Sequence, residues 1–513
     1  MVLYDAIIIG AGPGGLVCAT NLVKSGYKVK VFERNFFYGG TSHIFNRQGY
    51  YFPMGPLGFS SPTEVQQLLL ELGITAKIEF TKHSYQLVSP SFDMIYSQPL
   101  QILEAELKKL YKEEKKGIET FFTLLKKIVK AEEHVHEWYL FYNIDKMRKS
   151  ESDESNINYK EDFRVLNEYS QISAQIILDK YISNEHLKRF LGSLGTDRPK
   201  MSMRLLAVMW NLMAEKGIWR PAGGIHGIMD RLHEKLIQYG REEMLSTPIK
   251  EILIDNGQAI GVKTQNNLII KAHWIVCNAD YKTTFLKLIN SYNIPADFLE
   301  KVKSMKYFGS EFCVYLGIDP SRINLSKIRA QHIFYRKVIK PTDEINLEDF
   351  DNREIEICFW SEDDPSLAPL GKISMLIRVS FPYEFFCKWK TDEGKRGEGY
   401  REYKKQLALK LVSTAENIVP GLKSSIEVME TASPLTYEEF GQRFQGSIAG
   451  WSWAFDQKLD FGKKLLIETP IHNLLMVGLY ASTELFLGGF PTAMYTGYWA
   501  SEIIRQNMED SKS

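Results

Sequence analysis

Apolar positions along this chain switch repeatedly between a strand-like and a helix-like spacing. Residues 6–9 are wholly apolar and run straight into Gly10, and residues 27–32 alternate in and out before ending on Glu33. Between them Ala19 and Leu22 sit on a helical segment that Gly26 would stop. The pattern predicts strand, tight turn, helix, strand. Residues 62–72 have a helical pattern, and residues 81–96 hold short strand-like runs. Leu100, Leu103, Leu107 and Leu110, then Phe121, Phe122, Leu124 and Leu125, predict amphipathic helices over 99–135. The Lys-Glu run at 108–116 reads as a solvated helix face, and the charged stretch 146–160 as a surface loop.

Residues 201–219 differ. Leu205, Leu206, Val208, Met209, Trp210, Leu212 and Met213 make a helix apolar nearly all round. Two readings follow: a buried helix, or the wall of a substrate tunnel touching a membrane surface. A helix is expected over 225–239. Strands with turns at Asp255-Asn256-Gly257 and Gln265-Asn266-Asn267 then form a meander. Residues 274–280 read as a buried parallel strand. The block 301–442 mixes sheet (312–318, 373–381) with a long helix (400–419). An apolar strand at 473–478 precedes Gly488-Gly489 and a last helix through Tyr495, Gly497, Ala500 and Ile503.

At 513 residues the chain exceeds one ordinary core, so two domains are expected. Its 63 basic and 63 acidic residues cancel, which leaves no basic face for a nucleic-acid partner. Cys18, Cys277, Cys313, Cys358 and Cys387 form no CxxC pair and read as reduced, mostly buried thiols. The first apolar run is too short for a signal peptide, and no run reaches the roughly 20 apolar residues of a membrane span. The expected location is cytoplasmic, with peripheral membrane contact as a variant.

The opening turn carries chemistry. Gly10 permits the sharp exit from the strand, Gly12 lets backbone approach a pyrophosphate, and Gly15 lets the helix sit close to the sheet. Pro13 suits the first helical position, and with Gly14 it leads into a helix start that offers N–H groups to phosphate. Glu33 lies roughly 20 residues on, where an acid meets a ribose diol. Together these predict a dinucleotide site.

Further segments carry a resemblance: Glu33-Arg34 followed by Gly39-Gly40-Thr41, residues 49–56, Thr247-Pro248-Ile249, Asn278-Ala279-Asp280, and Gly488 to Met494. The chain resembles the phytoene desaturase-like branch of the FAD-dependent amine oxidase superfamily, with carotene desaturases, carotene isomerases and retinol saturases. The resemblance leans towards the isomerase and saturase side. It departs where the usual arginine after the doublet is Thr41, at Pro53-Met54, and where no acid directly follows Gly478.

The resemblance implies an α/β fold with a discontinuous, Rossmann-like FAD domain of the glutathione reductase type (1–75, 215–295, 440–513). A mixed α+β substrate domain (76–214, 296–439) would be interleaved with it. It implies FAD contacts from Gly10, Gly12, Pro13, Gly14, Gly15, Glu33, Arg34, Gly39, Gly40, Thr41, Ile249, Gly478, Gly489, Thr492, Ala493 and Met494. The function implied is oxidoreduction at C–C bonds of a long hydrophobic polyene, by desaturation, saturation or flavin-assisted isomerisation. An amine oxidase-like enzyme is the alternative, with Phe490, Tyr480 and Trp451 as its aromatic cage; a prenyl-binding protein like the Rab GDP-dissociation inhibitors is a third. A second dinucleotide fingerprint is absent from the sequence, so no dedicated NAD(P)H domain is expected. No catalytic side chain is assigned, and the ten histidines read as surface or structural residues.

Overall fold

Two seven-stranded sheets organise the described part of the computed structural model, which comprises residues 3–141, 160–193, 199, 201–240, 243–290, 293–339, 346–391, 394–452, 465–483 and 489–510. The first has the order Ile249–Asp255, Gln258–Thr264, Ile269–Cys277, Leu3–Ile9 (β1), Val29–Phe32 (β2), Glu243–Met244. β1 runs parallel to β2 and to Ile269–Cys277, with Ala6 opposite both Val29 and Trp274. Ile269–Cys277 changes partner along its length. Its first residues pair antiparallel with Gln258–Thr264, and its last three pair parallel with Leu474–Met476. The C-terminal ends of β1, β2, Ile269–Cys277 and Leu474–Met476 therefore share one edge, where open α/β sheets bind ligands.

Burial explains the apolar composition of β1: Ala6, Ile7 and Ile8 are fully enclosed. Helix α1 (Pro13–Lys24) starts at the end of β1 with Gly12 as its cap and Pro13 in the first turn, and Gly26 at φ +86° closes it. The last helix, Gly489–Asp510, lies against α1. There Asn21 Nδ2 donates to Ser501 Oγ and to Glu502 Oε1, both at 2.8 Å.

In the second sheet the order is Ile426–Ala432, Glu311–Ile318, Ile373–Ser380, Ile355–Phe359, His332–Tyr335, Tyr85–Ser89, Phe92–Ile95. All its pairs are antiparallel except His332–Tyr335 with Tyr85–Ser89. Period-two alternation gives it two unlike faces. Phe312, Val314, Leu316, Ile333, Ile357 and Ile377 pack with Leu407, Leu411 and Val412 of helix Tyr400–Ala415. The other face carries Glu311, Cys313, Tyr315, His332, Glu356, Cys358 and Arg378. Against it lies the hairpin Ile44–Arg47/Tyr50–Pro53, with Phe45 and Phe52 5.1 and 5.6 Å from the Tyr315 ring.

Two expectations need correction. The run 108–116 is not one helix face: helix Leu100–Leu110 ends, Lys112–Glu114 makes a single 3-10 turn, and helix Lys115–Phe141 begins. Tyr111, at φ −117° and ψ 72°, breaks the helix, and the charges occupy a corner. The segment 201–219 is helical over Met203–Trp210, widens to a π-helical turn at Asn211–Lys216, and stops at Gly217 with φ +75°. Trp219 already belongs to strand Trp219–Pro221, which pairs with Phe80–Lys82. Leu206, Trp210, Leu212 and Met213 are buried and Leu205, Val208 and Met209 are half-buried, which matches a packed helix rather than an exposed apolar face.

Residues 146–159 of the expected surface loop, and Gly488, fall outside the described residues. Cys18, Cys277, Cys313 and Cys358 are buried free thiols, whereas Cys387 is exposed. Among the described residues no helix is long and apolar enough to cross a membrane.

Candidate functional site

Sterics build the site from the end of β1. Gly10 has φ +95° and donates its N–H to Phe32 O at 2.7 Å. A Cβ on Gly15 would fall inside contact distance of Gly10 O, so that position takes glycine for close packing. Glu33 is buried at the end of β2. Its carboxylate accepts from Ala11 N at 2.9 Å and from Asn35 N at 2.8 Å. Burial pushes this carboxyl above its ordinary range, opposed by the two N–H bonds.

The second glycine pair lies against the first turn. Gly39, at φ +92°, donates to Ala11 O at 2.7 Å, and a Cβ on Gly40 would sit 3.5 Å from Gly12 Cα. Thr41 accepts at Oγ1 from Arg443 Nη2 at 2.8 Å. A guanidinium thus reaches Thr41 from a distant segment, held also by Ile448 O at 2.8 Å from Arg443 Nη1. Arg34 turns elsewhere and donates to Glu439 O and Phe440 O, the final carbonyls of helix Pro434–Gly441.

The first glycine turn and Gly478 meet at Asn278, which sequence reasoning treated as a landmark and not as a site residue. Its N–H donates to Ile9 O at 2.8 Å. A Cβ on Gly12 would lie 2.6 Å from its Nδ2, one on Gly14 3.0 Å from its Oδ1, and one on Gly478 inside contact of the same oxygen. The usable signal was position: Asn278 directly follows a parallel strand beside β1, at the ligand-binding edge.

Gly14 also approaches the C-terminal segment, since its Cβ would be 2.7 Å from Gly478 N and 2.8 Å from Ala493 O. Gly478, at φ +92°, donates to Thr496 Oγ1 at 2.9 Å. In the last helix, which Gly489 begins, Thr492, Ala493 and Met494 are buried, and Thr492 Oγ1 has no hydrogen-bond partner. Ile249 starts its strand two residues after Thr247, whose N–H donates to Glu33 O at 2.8 Å. These contacts bring Gly10, Gly12, Pro13, Gly14, Gly15, Glu33, Gly39, Gly40, Gly478 and Ala493 into one neighbourhood, with Ile249 two residues beyond the Thr247–Glu33 bond. Missing Cβ atoms, a helix start, a buried acid and an orphaned hydroxyl suit a dinucleotide-sized ligand with a pyrophosphate.

The aromatic residues do not form one cage. Phe490 stacks on Phe59 at 5.4 Å, and Phe59 meets Phe80 at 5.9 Å. Trp451 and Tyr480 instead cluster with Tyr307, at 4.8 Å each, and among the described residues no ring contact joins them to Phe490.

A buried polar chain crosses the second sheet. Tyr437 OH donates to Glu311 at 2.7 Å, and Arg378 Nε and Nη2 hold Glu356 at 3.1 and 2.6 Å. Glu356 lies 2.9 Å from His332 Nε2, and the His332 ring is 5.7 Å from that of His83, which pairs with Asp363 at 2.9 Å. Burial pushes the His332 imidazole down in pKa. Burial works against the charge on Glu356 as well, but Arg378 and His332 outweigh it and hold that carboxyl low. His83 and His332 are buried, at 2% and 1% exposure.

Comparison with known proteins places this geometry among relatives. The family described as flavin containing amine oxidoreductase matches residues 13–381. The chain is 26% identical to prolycopene isomerase 1, chloroplastic, of an Oncidium hybrid cultivar, over 93% of this chain and 79% of that protein. It is 24% identical to the all-trans-retinol 13,14-reductase of Danio rerio, over 98% and 86%. Among solved structures, putrescine oxidase bound to putrescine superposes with a TM-score of 0.64 at 14% identity, covering 99% of both chains, which is a likeness of fold.

Proposed function

From the premise that this chain belongs to the flavin-containing amine oxidoreductase family and is an FAD-dependent oxidoreductase, we propose that it acts on C–C bonds of a long, apolar polyene, by desaturation, saturation or isomerisation. The observation that carries this reading is the near full-length similarity to a prolycopene isomerase and a retinol reductase.

In this reading the N–H groups at the start of α1, with Gly12, Gly14, Gly39 and Gly40, would bind the pyrophosphate. Glu33 would accept from the ribose, and the backbone near Ile249 would hold the adenine. Thr492, Ala493 and Met494 would present the last helix to the flavin ring, its dipole favouring negative charge there. When bound, the flavin supplies the hydride or electron chemistry, and the protein binds, orients and excludes water. The substrate would be collected at a membrane surface.

The test has two stages. Purified protein should show bound-flavin absorbance, which Gly12→Val removes. Holoprotein is then incubated with liposomes carrying prolycopene, phytoene or retinol, and separately with putrescine. Conversion of a polyene is expected; flavin reduction by the amine with every polyene unchanged would overturn the proposal.

A further inference from the structure

Among the described residues, Arg220 is a buried cation without a hydrogen-bond partner. It is 1% exposed, and none of its Nε, Nη1 and Nη2 atoms is bonded. A guanidinium carries five N–H donors in a rigid fork and stays protonated in proteins. Buried donors in native structures are bonded to protein, water or ligand, so this fork calls for an acceptor.

Protein groups nearby do not supply one. The guanidinium stacks on the Trp360 ring at 3.8 Å, which occupies its face but not its N–H edge. Asp363 and Asp364 act on it electrostatically without pairing. Asp363 Oδ2 lies 2.9 Å from His83 Nε2 as an ion pair without hydrogen-bond geometry, and its Oδ1 accepts from Gln331 Nε2 at 3.3 Å; Asp364 accepts from Gly223 N at 2.9 Å and Ser366 N at 3.2 Å. Trp360 Nε1 and His226 Nδ1 are likewise buried and unbonded. The two side chains converge at Gly224, where a Cβ would lie 3.4 Å from Trp360 Cζ2 and 3.2 Å from His226 Nδ1.

We propose that Arg220 and Trp360 form a docking point for a carboxylate at one end of an otherwise apolar substrate. A guanidinium fork matches a carboxylate bidentately, and the indole N–H adds a donor. Trp219, the neighbour of Arg220, exchanges backbone bonds with Phe59 at 2.7 and 2.9 Å. Phe59 stacks on Phe490 at the start of the last helix, which gives an apolar ring wall. Strand alternation sends Arg220 to the opposite side from Trp219, where it meets the second sheet's Trp360. The rings and the fork thus lie on opposite faces of strand Trp219–Pro221; the fork supplies the partner for a charged end, and the apolar body of the molecule follows from the polyene reading. The inference rests on the polyene reading and narrows its substrate class.

The test uses FAD-loaded full-length protein and three probes of one carbon skeleton: retinoic acid, retinol and the hydrocarbon axerophthene. Wild type should bind retinoic acid roughly tenfold or more tightly than the other two, as expected for hydrogen bonds to a charged group. Arg220→Gln should erase that preference with FAD content and melting temperature retained, and Trp360→Phe should reduce it. Equal binding of the three probes by wild type would show that water alone fills the fork and would overturn the inference. So would a preference unchanged by both variants. If Arg220→Gln does not fold, the wild-type and Trp360→Phe comparison decides. Polyene conversion without end-group preference would sink this inference and leave the polyene reading standing. Carboxylate preference in a protein that converts no polyene would do the reverse.

Discussion

The carbonyl oxygen of Gly14 occupies the space that a Cβ on Gly497 would need. The start of α1 and the last helix are in backbone contact there, with no room for a methyl group. Gly497→Ala should therefore force the helices apart, at a cost of about 1–3 kcal/mol or more. Expected are a lower melting temperature and a purified protein depleted of FAD, read from thermal unfolding and the flavin absorbance ratio. A variant with full FAD content and unchanged melting would contradict the close-packed junction.

Glu33 is held by two backbone N–H groups, Ala11 and Asn35, before any ribose arrives. Glu33→Gln exchanges one acceptor for a donor facing those groups. FAD affinity should fall by roughly tenfold or more, since hydrogen bonds to a charged acceptor contribute about 1.5–3 kcal/mol. Titration of apoprotein with FAD by fluorescence measures this, and Glu33→Ala should be at least as weak.

Arg443 brings a cation to Thr41, where the sequence itself lacks the arginine usual after the glycine doublet. Arg443→Met and Thr41→Val should each weaken FAD binding, and the double variant should lose less than the sum of the two. Strict additivity in that cycle would show that the 2.8 Å contact is not coupled to the cofactor.

The His332–Glu356–Arg378 chain makes stability acid-sensitive. His332 is depressed by burial and Glu356 by its partners against burial, so each binds protons more weakly folded than unfolded. Stability from both is present at neutral pH. It falls below about pH 6.5 as the unfolded histidine protonates, and further below about pH 4.3 for the glutamate. Glu311, raised chiefly by burial, has the opposite sign, being favoured at low pH and lost as pH rises through its carboxylate range. Glu356→Gln should cost about 3–5 kcal/mol at pH 7, because it leaves Arg378 with only the 3.9 Å contact to Glu311. The deficit should shrink towards pH 3. Denaturant unfolding at several pH values checks this, and a constant gap across that range would refute it.

Local chemistry made the β1–α1–β2 unit readable, because glycine spacing, Pro13, Gly26 and Glu33 each report a nearby backbone requirement. The same holds for the meander at 249–277, whose turns at 255–257 and 265–267 sit between observed strands. Contacts between distant segments were not readable. Asn278 becomes a site residue only when residues 10–14 and 478 meet around it, and Arg443 reaches Thr41 across some four hundred positions. Arg34 follows Glu33 in the chain, yet its guanidinium reaches the carbonyl end of helix Pro434–Gly441, a contact that no local pattern signals. The corner at Tyr111 was missed because a Lys-Glu run carries no periodic apolar signal to show where one helix stops.

The meeting of Gly14, Asn278, Gly478 and the last helix has a consequence for how the protein is made. During synthesis the N-terminal glycine turn emerges hundreds of residues before the strand and helix that complete its crevice. A nascent chain lacks the packing of Gly14 against Gly478, Ala493 and Gly497 until those residues have cleared the ribosome, so the turn waits for partners made more than four hundred residues later.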